Sequence, residues 1–408
     1  MSATLSLILI VGAAFLAAHV LFEWLARRFR IVSGAEYLVL GILLGPQVSG
    51  FMSTDVVGSF APFMTLALGW TGAALGMQLY LPKLIQTPAV VYRTALLEAV
   101  IAFVSVTGVM VAGFSWAFNL TYAQVILPAV TLGAIAVATA SSALPLFSDE
   151  SDTHPIVEQL ETTALLDSVF AIVVFGLLLC IVHVDVQVGN RALTATEWAA
   201  ITIGIGVVGG TLFHLFIGAE RNPDRLFIAL AGAIILASGA AGYLRLSPLL
   251  SSLLIGAILV NTSVNRDEIA TQMASVEKPL YFVLLIFAGA AWQPSTQNWI
   301  GPVALFVFMR FAAKLGAARL AVRIERRVET LGINWGRALF TQGTLALAIA
   351  MNYSLNDTQI VPNVVFTAAV ASVLVNDLFG ARIITALIDE PEPPAPERTV
   401  AESEEVQV

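Results

Sequence analysis

Apolar runs long enough to cross a lipid bilayer recur along the chain, separated by short segments that contain glycine, proline or charged residues. A membrane-spanning helix needs about 20 predominantly apolar residues. The pattern therefore predicts thirteen such helices. Their approximate bounds are 3–25, 33–52, 56–82, 89–115, 123–147, 156–183, 196–217, 225–243, 247–263, 277–292, 300–322, 337–355 and 361–388.

The composition agrees with this pattern. Of the 408 residues, 58% are hydrophobic and only 12% are charged, whereas soluble domains contain about 25% charged residues. We therefore expect an all-α polytopic membrane protein, and the composition excludes a soluble enzyme. The net charge of −8 and the absence of a basic patch argue against a nucleic-acid partner.

Residues that would carry enzymatic chemistry are scarce. The single cysteine, Cys180, lies in an apolar run, and the four histidines lack metal-ligand spacing. No nucleophile–base pair is visible, so we assign no catalytic residue and expect neither an enzyme nor a bound cofactor. The stretch Met1–Phe22 lacks Lys and Arg, so we interpret it as a retained first helix and not as a signal peptide.

The distribution of positive charge predicts the topology. With the N-terminus outside, sixteen of the twenty Lys and Arg residues fall in cytoplasmic segments, and only Arg191 and Arg245 fall outside. Cytoplasmic loops of membrane proteins are enriched in this way. Thirteen helices then place the C-terminus in the cytoplasm, and we expect the protein in the plasma (bacterial inner) membrane. Segment 389–408, rich in Pro and Glu, is predicted to be a disordered acidic tail after a transmembrane domain of residues 1–388.

Two predicted helices are interrupted at comparable places in the chain. Polar residues of the stretch Ala138–Ser142 interrupt the fifth helix, and the stretch Thr341–Thr344 interrupts the twelfth. These are the fifth members of two sets of six helices, with the seventh helix as a linker. This arrangement is typical of inverted repeats whose broken helices meet near the membrane midplane and present helix dipoles to ions. Each stretch alone is also compatible with close helix packing.

Three ionisable residues lie deep in predicted helices next to these interruptions. Asp167 is in the sixth helix, and Arg310 and Lys314 share one face of the eleventh. Opposite charges within a membrane are expected to pair. A buried carboxylate facing a buried amine could exchange a cation for a proton, because burial disfavours the charged amine once it is displaced. Arginine stays charged, so we assign to Lys314 either the proton-linked role or that of a lock on the carboxylate, and to Arg310 a structural role.

Further polar residues are candidates for a supporting role. Glu98 in the fourth helix could take part in transport or could pair with a cation such as Arg310. Asn376 and Asp377 in the last helix are expected nearer its cytoplasmic end than the site. The remaining supporting candidates lie near the interruptions or on the helix of Asp167: Thr139, Ser141, Thr163 and Gln342.

Several motifs resemble those of the monovalent cation:proton antiporter superfamily, which has the sodium/proton exchanger fold. Leu40–Pro46 reads L-G-I-L-L-G-P and is similar to an early signature of this family. Further similar motifs, in the family's order, are Ser247-Pro248-Leu249, Gly256–Asn261, Lys314-Leu315-Gly316 and Gln342-Gly343-Thr344. The resemblance covers approximately residues 31–387.

This resemblance implies an antiporter that exchanges a monovalent cation, Na⁺ or K⁺, for protons. It also implies a homodimer, with helices 1–3 and 8–10 forming a dimerisation part and helices 4–6 and 11–13 a mobile core. The family usually carries Asp-Asp or Asn-Asp in the sixth helix, the second residue being the ion-binding carboxylate. Here the pair is Leu166-Asp167 or Asp167-Ser168, and the apolar run Val169–Val173 favours the second alignment. Ser168 then occupies the usual ion-binding position, beside Asp167.

The predicted ion- and proton-binding residues are therefore Asp167, Ser168 and Lys314, with Asp167 as the ligand of the transported cation. Two alternatives remain. The same fold could transport another solute, such as an organic anion with sodium, which would suit Ser168 in place of a carboxylate. The chain could also be a membrane sensor or assembly partner that has lost transport.

Overall fold

The computed structural model is almost entirely α-helical. It describes residues 35–140, 155–183, 187–188, 191–217, 220, 222–293, 299–325, 339–340, 342–356 and 361–388. The first predicted helix, Ser141 and the tail lie outside these residues, as do the N- and C-termini. The described helices are α1 (Ala35–Leu44), α2 (Thr54–Ser59), α3 (Ala61–Met77), α4 (Leu81–Gln86), α5 (Ala89–Phe118), α6 (Tyr122–Val137), α7 (Pro155–Val182), α8 (Ala195–Ile217), α9 (Pro223–Tyr243), α10 (Pro248–Thr262), α11 (Arg266–Ala291), α12 (Ile300–Glu325), α13 (Thr344–Asn356) and α14 (Pro362–Ile388). Two antiparallel strands of two residues each, β1 (Gln187–Val188) and β2 (Arg191–Ala192), precede α8.

Six helices of the described part are long and apolar enough to span a membrane. They are α5, α11 and α12 over their whole lengths, and most of α7, α8 and α9. Shorter apolar segments lie in α6, α10 and α14. This all-helical, apolar architecture is that of a multi-pass membrane protein, as the hydropathy pattern predicts.

The predicted helices from the second to the last each correspond to described helices, with three notable differences in bounds. The predicted second helix, 33–52, already ends at Leu44, before Gly45 and Pro46. The predicted third helix is divided at Phe60 into the short α2 and the longer α3. The predicted tenth helix begins at Arg266, eleven residues before the expected start at residue 277. Its first turns carry charged residues, which lower hydropathy without opposing helix formation, and Asp267 and Glu268 complement the dipole at its N-terminus.

Both predicted interruptions are present. Helix α6 ends at Val137, and the following Ala138, Thr139 and Ala140 are not helical. In the second half, Gln342 and Gly343 are not helical, and α13 begins only at Thr344. The continuation of the first interruption beyond Ala140, and Thr341 in the second, lie outside the described residues.

The packing of the helices follows the two-fold pattern of the sequence. In the predicted repeats, α1 corresponds to α10, and α3 corresponds to α11. Helix α1 packs on α11, and α10 packs on α3, so the two packed pairs are equivalent when the two halves of the chain are exchanged. The packing of α6 on α14 is related to that of α13 on α7 in the same way. The pair α5–α12 and the pair α6–α13 each map onto themselves. The arrangement is therefore that of two inverted repeats.

Helices α3 and α10 approach each other closely through glycine. A Cβ atom on Gly72 would lie 2.3 Å from the Leu249 carbonyl oxygen, and one on Gly256 would lie 2.1 Å from that of Ala73. Neither distance can accommodate a methyl group, so only glycine allows this backbone contact. The division of the chain into a dimerisation part and a mobile core stays a prediction.

Candidate ion site

The ammonium group of Lys314 lies at the centre of a cluster of buried oxygen atoms. Lys314 is on α12, in the middle of the helix, and its side chain is fully buried. Its Nζ atom lies within 3.4 Å of oxygen atoms of Asp167, Thr139 and Glu98. These three residues belong to α7, to the interruption after α6 and to α5, so four segments of the chain meet at one ammonium group.

Asp167 makes the shortest of these contacts. Lys314 Nζ donates to Asp167 Oδ2 over 2.7 Å, and the Thr139 hydroxyl donates to the same oxygen over 2.9 Å. Thr139 Oγ1 in turn lies 3.1 Å from Lys314 Nζ. Thr139 can reach both groups because the backbone is not helical there. The interruption thus places a hydroxyl between the acid and the base.

Glu98 is the second carboxylate on the same ammonium group. Its Oε1 and Oε2 atoms lie 3.3 and 3.4 Å from Lys314 Nζ, and its side chain is fully buried. The sequence analysis left open whether Glu98 pairs with a cation such as Arg310 or belongs to the site. In the structure its cationic partner is Lys314, because α5 and α12 pack along their lengths at this depth.

Arg310 lies one helical turn from Lys314 and binds the two interruptions. Its Nη1 donates to the Phe340 carbonyl over 3.1 Å, and its Nη2 donates to the Ala138 carbonyl over 3.4 Å. Residues near broken helices have carbonyl groups without intrahelical partners. The planar guanidinium can satisfy one carbonyl on each side, which fits the structural role predicted for Arg310.

Gln342 forms a second link between the two halves. Its Nε2 donates to the Ile135 carbonyl over 2.8 Å. Its Oε1 accepts from Ser372 Oγ over 2.6 Å and from Asn376 Nδ2 over 3.1 Å. These contacts tie Gln342 to both halves of the chain, and its supporting role in transport stays a prediction. Asn376, expected nearer the cytoplasmic end of its helix, is part of this buried network. The sequence analysis does not identify Ser372. The available signal was its spacing, because a polar residue four positions before Asn376 lies on the same helix face.

The other predicted site residues lie near the cluster without contacting the ammonium group. Ser168 Oγ is within hydrogen-bond distance of the Ala164 and Thr139 carbonyls, at 2.8 and 2.9 Å. Thr163 donates to the Gln159 carbonyl of its own helix. Both side chains are buried. Ser168 therefore supports the backbone at the interruption, and its ion-binding role stays a prediction.

The cluster carries an excess of negative groups. It contains two carboxyl groups and one ammonium group, all fully buried. Burying charge without compensation is costly, so such a cluster favours one further positive charge, either a proton on a carboxyl group or a bound cation. Within the described residues, no group of three or more His, Cys, Asp and Glu side chains could hold a metal ion. The polar atoms around the ammonium group are oxygen atoms of Asp167, Thr139 and Glu98.

No family model matches the chain, and no curated protein matches its sequence. Among solved structures, the chain is similar to the sodium proton antiporter MjNhaP1 from Methanocaldococcus jannaschii at pH 8, with a TM-score of 0.70 and 16% sequence identity. The match covers 94% of this chain and 98% of that chain. The chain has the sodium/proton exchanger fold. The fold expected from the resemblance of its motifs is thereby confirmed.

Proposed function

We propose that the protein exchanges a monovalent cation for protons across the membrane through the Asp167–Lys314 pair. The observation that carries this proposal is the 2.7 Å contact between these two fully buried groups at the crossing of two interrupted helices. Ionisable residues at this depth are costly and generally serve transport. The exchanger fold, known in a sodium proton antiporter, supports the same activity.

The chemistry follows from competition for one carboxylate. An incoming cation that binds Asp167 displaces the Lys314 ammonium group. A displaced ammonium in this apolar environment would be a buried charge without its closest partner, which favours release of its proton. Return of the proton re-forms the pair and expels the cation. Cation and proton thus occupy the site alternately, as exchange requires.

The experiment is transport by purified protein in liposomes with a pH-sensitive dye inside. After an inward-acid gradient is set, addition of Na⁺, K⁺ or Li⁺ outside should raise the internal pH. Asp167→Asn should abolish this response while the protein still folds, as judged by its elution profile and melting temperature. Asp224→Asn, at an exposed position in the first turn of α9, is the matched control and should transport normally.

Two results would contradict the proposal. Normal exchange by folded Asp167→Asn would make Asp167 a structural residue. A wild-type protein that responds to none of the three cations would favour another solute or loss of transport.

A further inference from the structure

Glu98 is the feature of the cluster that a single Asp167–Lys314 exchange does not use. It lies on α5, which packs on both α7 and α12, and its side chain is fully buried. A carboxylate that served only to pair with Lys314 would be redundant, because Asp167 already makes the closer contact. Its burial is costly and requires an explanation.

The position of the Lys314 ammonium group shows where a cation is stabilised. Its Nζ atom lies 2.7 Å from Asp167, 3.1 Å from Thr139 and 3.3 Å from Glu98. Two carboxylates and a hydroxyl thus surround one monovalent positive charge. Hard cations prefer such oxygen ligands.

Two carboxylate oxygens of the cluster are incompletely satisfied. Asp167 Oδ1 and Glu98 Oε1 are inaccessible to solvent and have no well-aligned hydrogen-bond donor among the described residues, although Glu98 Oε1 lies 3.3 Å from Lys314 Nζ and the two carboxyl groups lie within hydrogen-bond reach of each other. Buried polar atoms are nearly always satisfied, so an exception points to an unfilled ligand role. The Ser168 hydroxyl does not donate to either oxygen, because its hydrogen-bond partners are the backbone carbonyls of Thr139 and Ala164.

We propose that Glu98 and Asp167 together form the binding site of the transported monovalent cation, with Thr139 as a third oxygen ligand. The second carboxylate is thus supplied by α5 and not by the residue adjacent to Asp167. This inference rests on the proposed function, since it names a ligand of the same site. It predicts that Glu98 determines the affinity for the cation.

The test measures the dependence of the exchange rate on cation concentration for the full-length protein in liposomes. Glu98→Gln should raise the half-saturating cation concentration at least tenfold, because it removes one of two charged ligands. Glu98→Asp keeps the charge and should recover part of that loss. An unchanged half-saturating concentration in Glu98→Gln, with or without lower thermal stability, would overturn the inference and leave Glu98 as a packing partner of Lys314.

The matched control is another carboxylate between the same two helices. Glu325 on α12 contacts Arg93 on α5 at 3.4 Å, toward the ends of both helices and outside the cluster. Glu325→Gln should leave the half-saturating concentration unchanged. A rise equal to that of Glu98→Gln would show that any loss of charge between α5 and α12 weakens binding, which would overturn the specific role.

A binding measurement separates this inference from the proposed function. The melting temperature in detergent should be higher in NaCl, KCl or LiCl than in choline chloride of equal ionic strength, because a ligand that binds the folded state stabilises it. Glu98→Gln should remove the difference. If the wild type transports nothing but shows this difference, the proposed function fails and the site stands. A difference that persists in Glu98→Gln, or its absence in the wild type, overturns the site.

Discussion

The Nζ atom of Lys314 lies 2.7 Å from Oδ2 of Asp167, although the two residues are 147 positions apart in the chain and belong to opposite repeats. Both are fully buried, and the Glu98 carboxylate contacts the same ammonium group. The three charges are therefore coupled, and removing one must change the environment of the other two.

This coupling predicts unequal effects of neutralising the pair. Asp167→Asn leaves Lys314 beside Glu98, whereas Lys314→Gln leaves two buried carboxylates without a cation. Breaking a buried pair generally costs about 3–5 kcal/mol. We expect Lys314→Gln to lower the melting temperature more than Asp167→Asn does. The double variant should lose less stability than the sum of both, and it should not transport.

The control for this cycle is the pair Arg93–Glu325, whose arginine side chain is 68% exposed. Exposed pairs contribute about 0–1 kcal/mol, so this second cycle should be nearly additive. Additivity of Asp167→Asn and Lys314→Gln would show that the observed contact carries no coupling energy.

The close contact between the two non-helical segments, at Ala138–Ala140 and Gln342–Gly343, depends on a glycine. A Cβ atom on Gly343 would lie 2.9 Å from the Cβ atom of Ala140, closer than two carbon atoms can approach without a shift. We expect Gly343→Ala to separate the two segments, to lower the melting temperature and to reduce the exchange rate.

A glycine with open space around it provides the comparison. A Cβ atom on Gly232 of α9 would meet no other atom within 4 Å, and alanine is the better helix former by about 1 kcal/mol. Gly232→Ala should leave transport unchanged and stability unchanged or improved. Equal tolerance of both substitutions would mean that the crossing is not tightly packed.

The bridge made by Arg310 predicts that arginine and lysine are not interchangeable there. Its guanidinium donates to carbonyls of Phe340 and Ala138 in opposite halves of the chain. A lysine keeps the charge but lacks the planar fork. Arg310→Lys should therefore lower the melting temperature markedly, with activity lost in proportion to unfolding.

Arg323→Lys, at an exposed position on the same helix, should change neither stability nor transport. If Arg310→Lys were as stable as the wild type, one hydrogen bond would be enough to hold the crossing together.

The positions of the helices and of both interruptions could be predicted from the sequence because hydropathy and helix-breaking residues are local signals. The proximity of Asp167 and Lys314 was also predictable, since buried opposite charges must pair and each lies beside an interruption. The choice of Lys314 as the partner of Glu98 was not predictable. It depends on which face of α5 is turned toward α12, and the sequence of a helix that is apolar on all sides does not indicate that face.

The side-chain contacts of Ser168 and Asn376 show the same limit. The sequence predicts Ser168 as an ion-binding residue, which stays a prediction, but it does not predict the observed contacts of its hydroxyl with backbone carbonyls. Asn376 is expected nearer the cytoplasmic end of its helix than the site, and its observed contact with Gln342 is likewise not predicted. Side-chain direction around a broken helix depends on non-helical backbone, which sequence periodicity cannot describe.

The last prediction concerns the orientation of the chain in the membrane, which we predict from the excess of Lys and Arg in alternate segments. With the N-terminus outside, we expect the segment after α12 in the cytoplasm and Arg191, the first residue of β2, outside. The only native cysteine, Cys180, is buried, so background labelling should be low. In intact spheroplasts, a membrane-impermeant maleimide should label Arg191→Cys, and it should label Arg326→Cys only after the membrane is opened. Labelling of Arg326→Cys from outside would reverse the orientation or change the number of helices, because each helix added or removed inverts every loop that follows it.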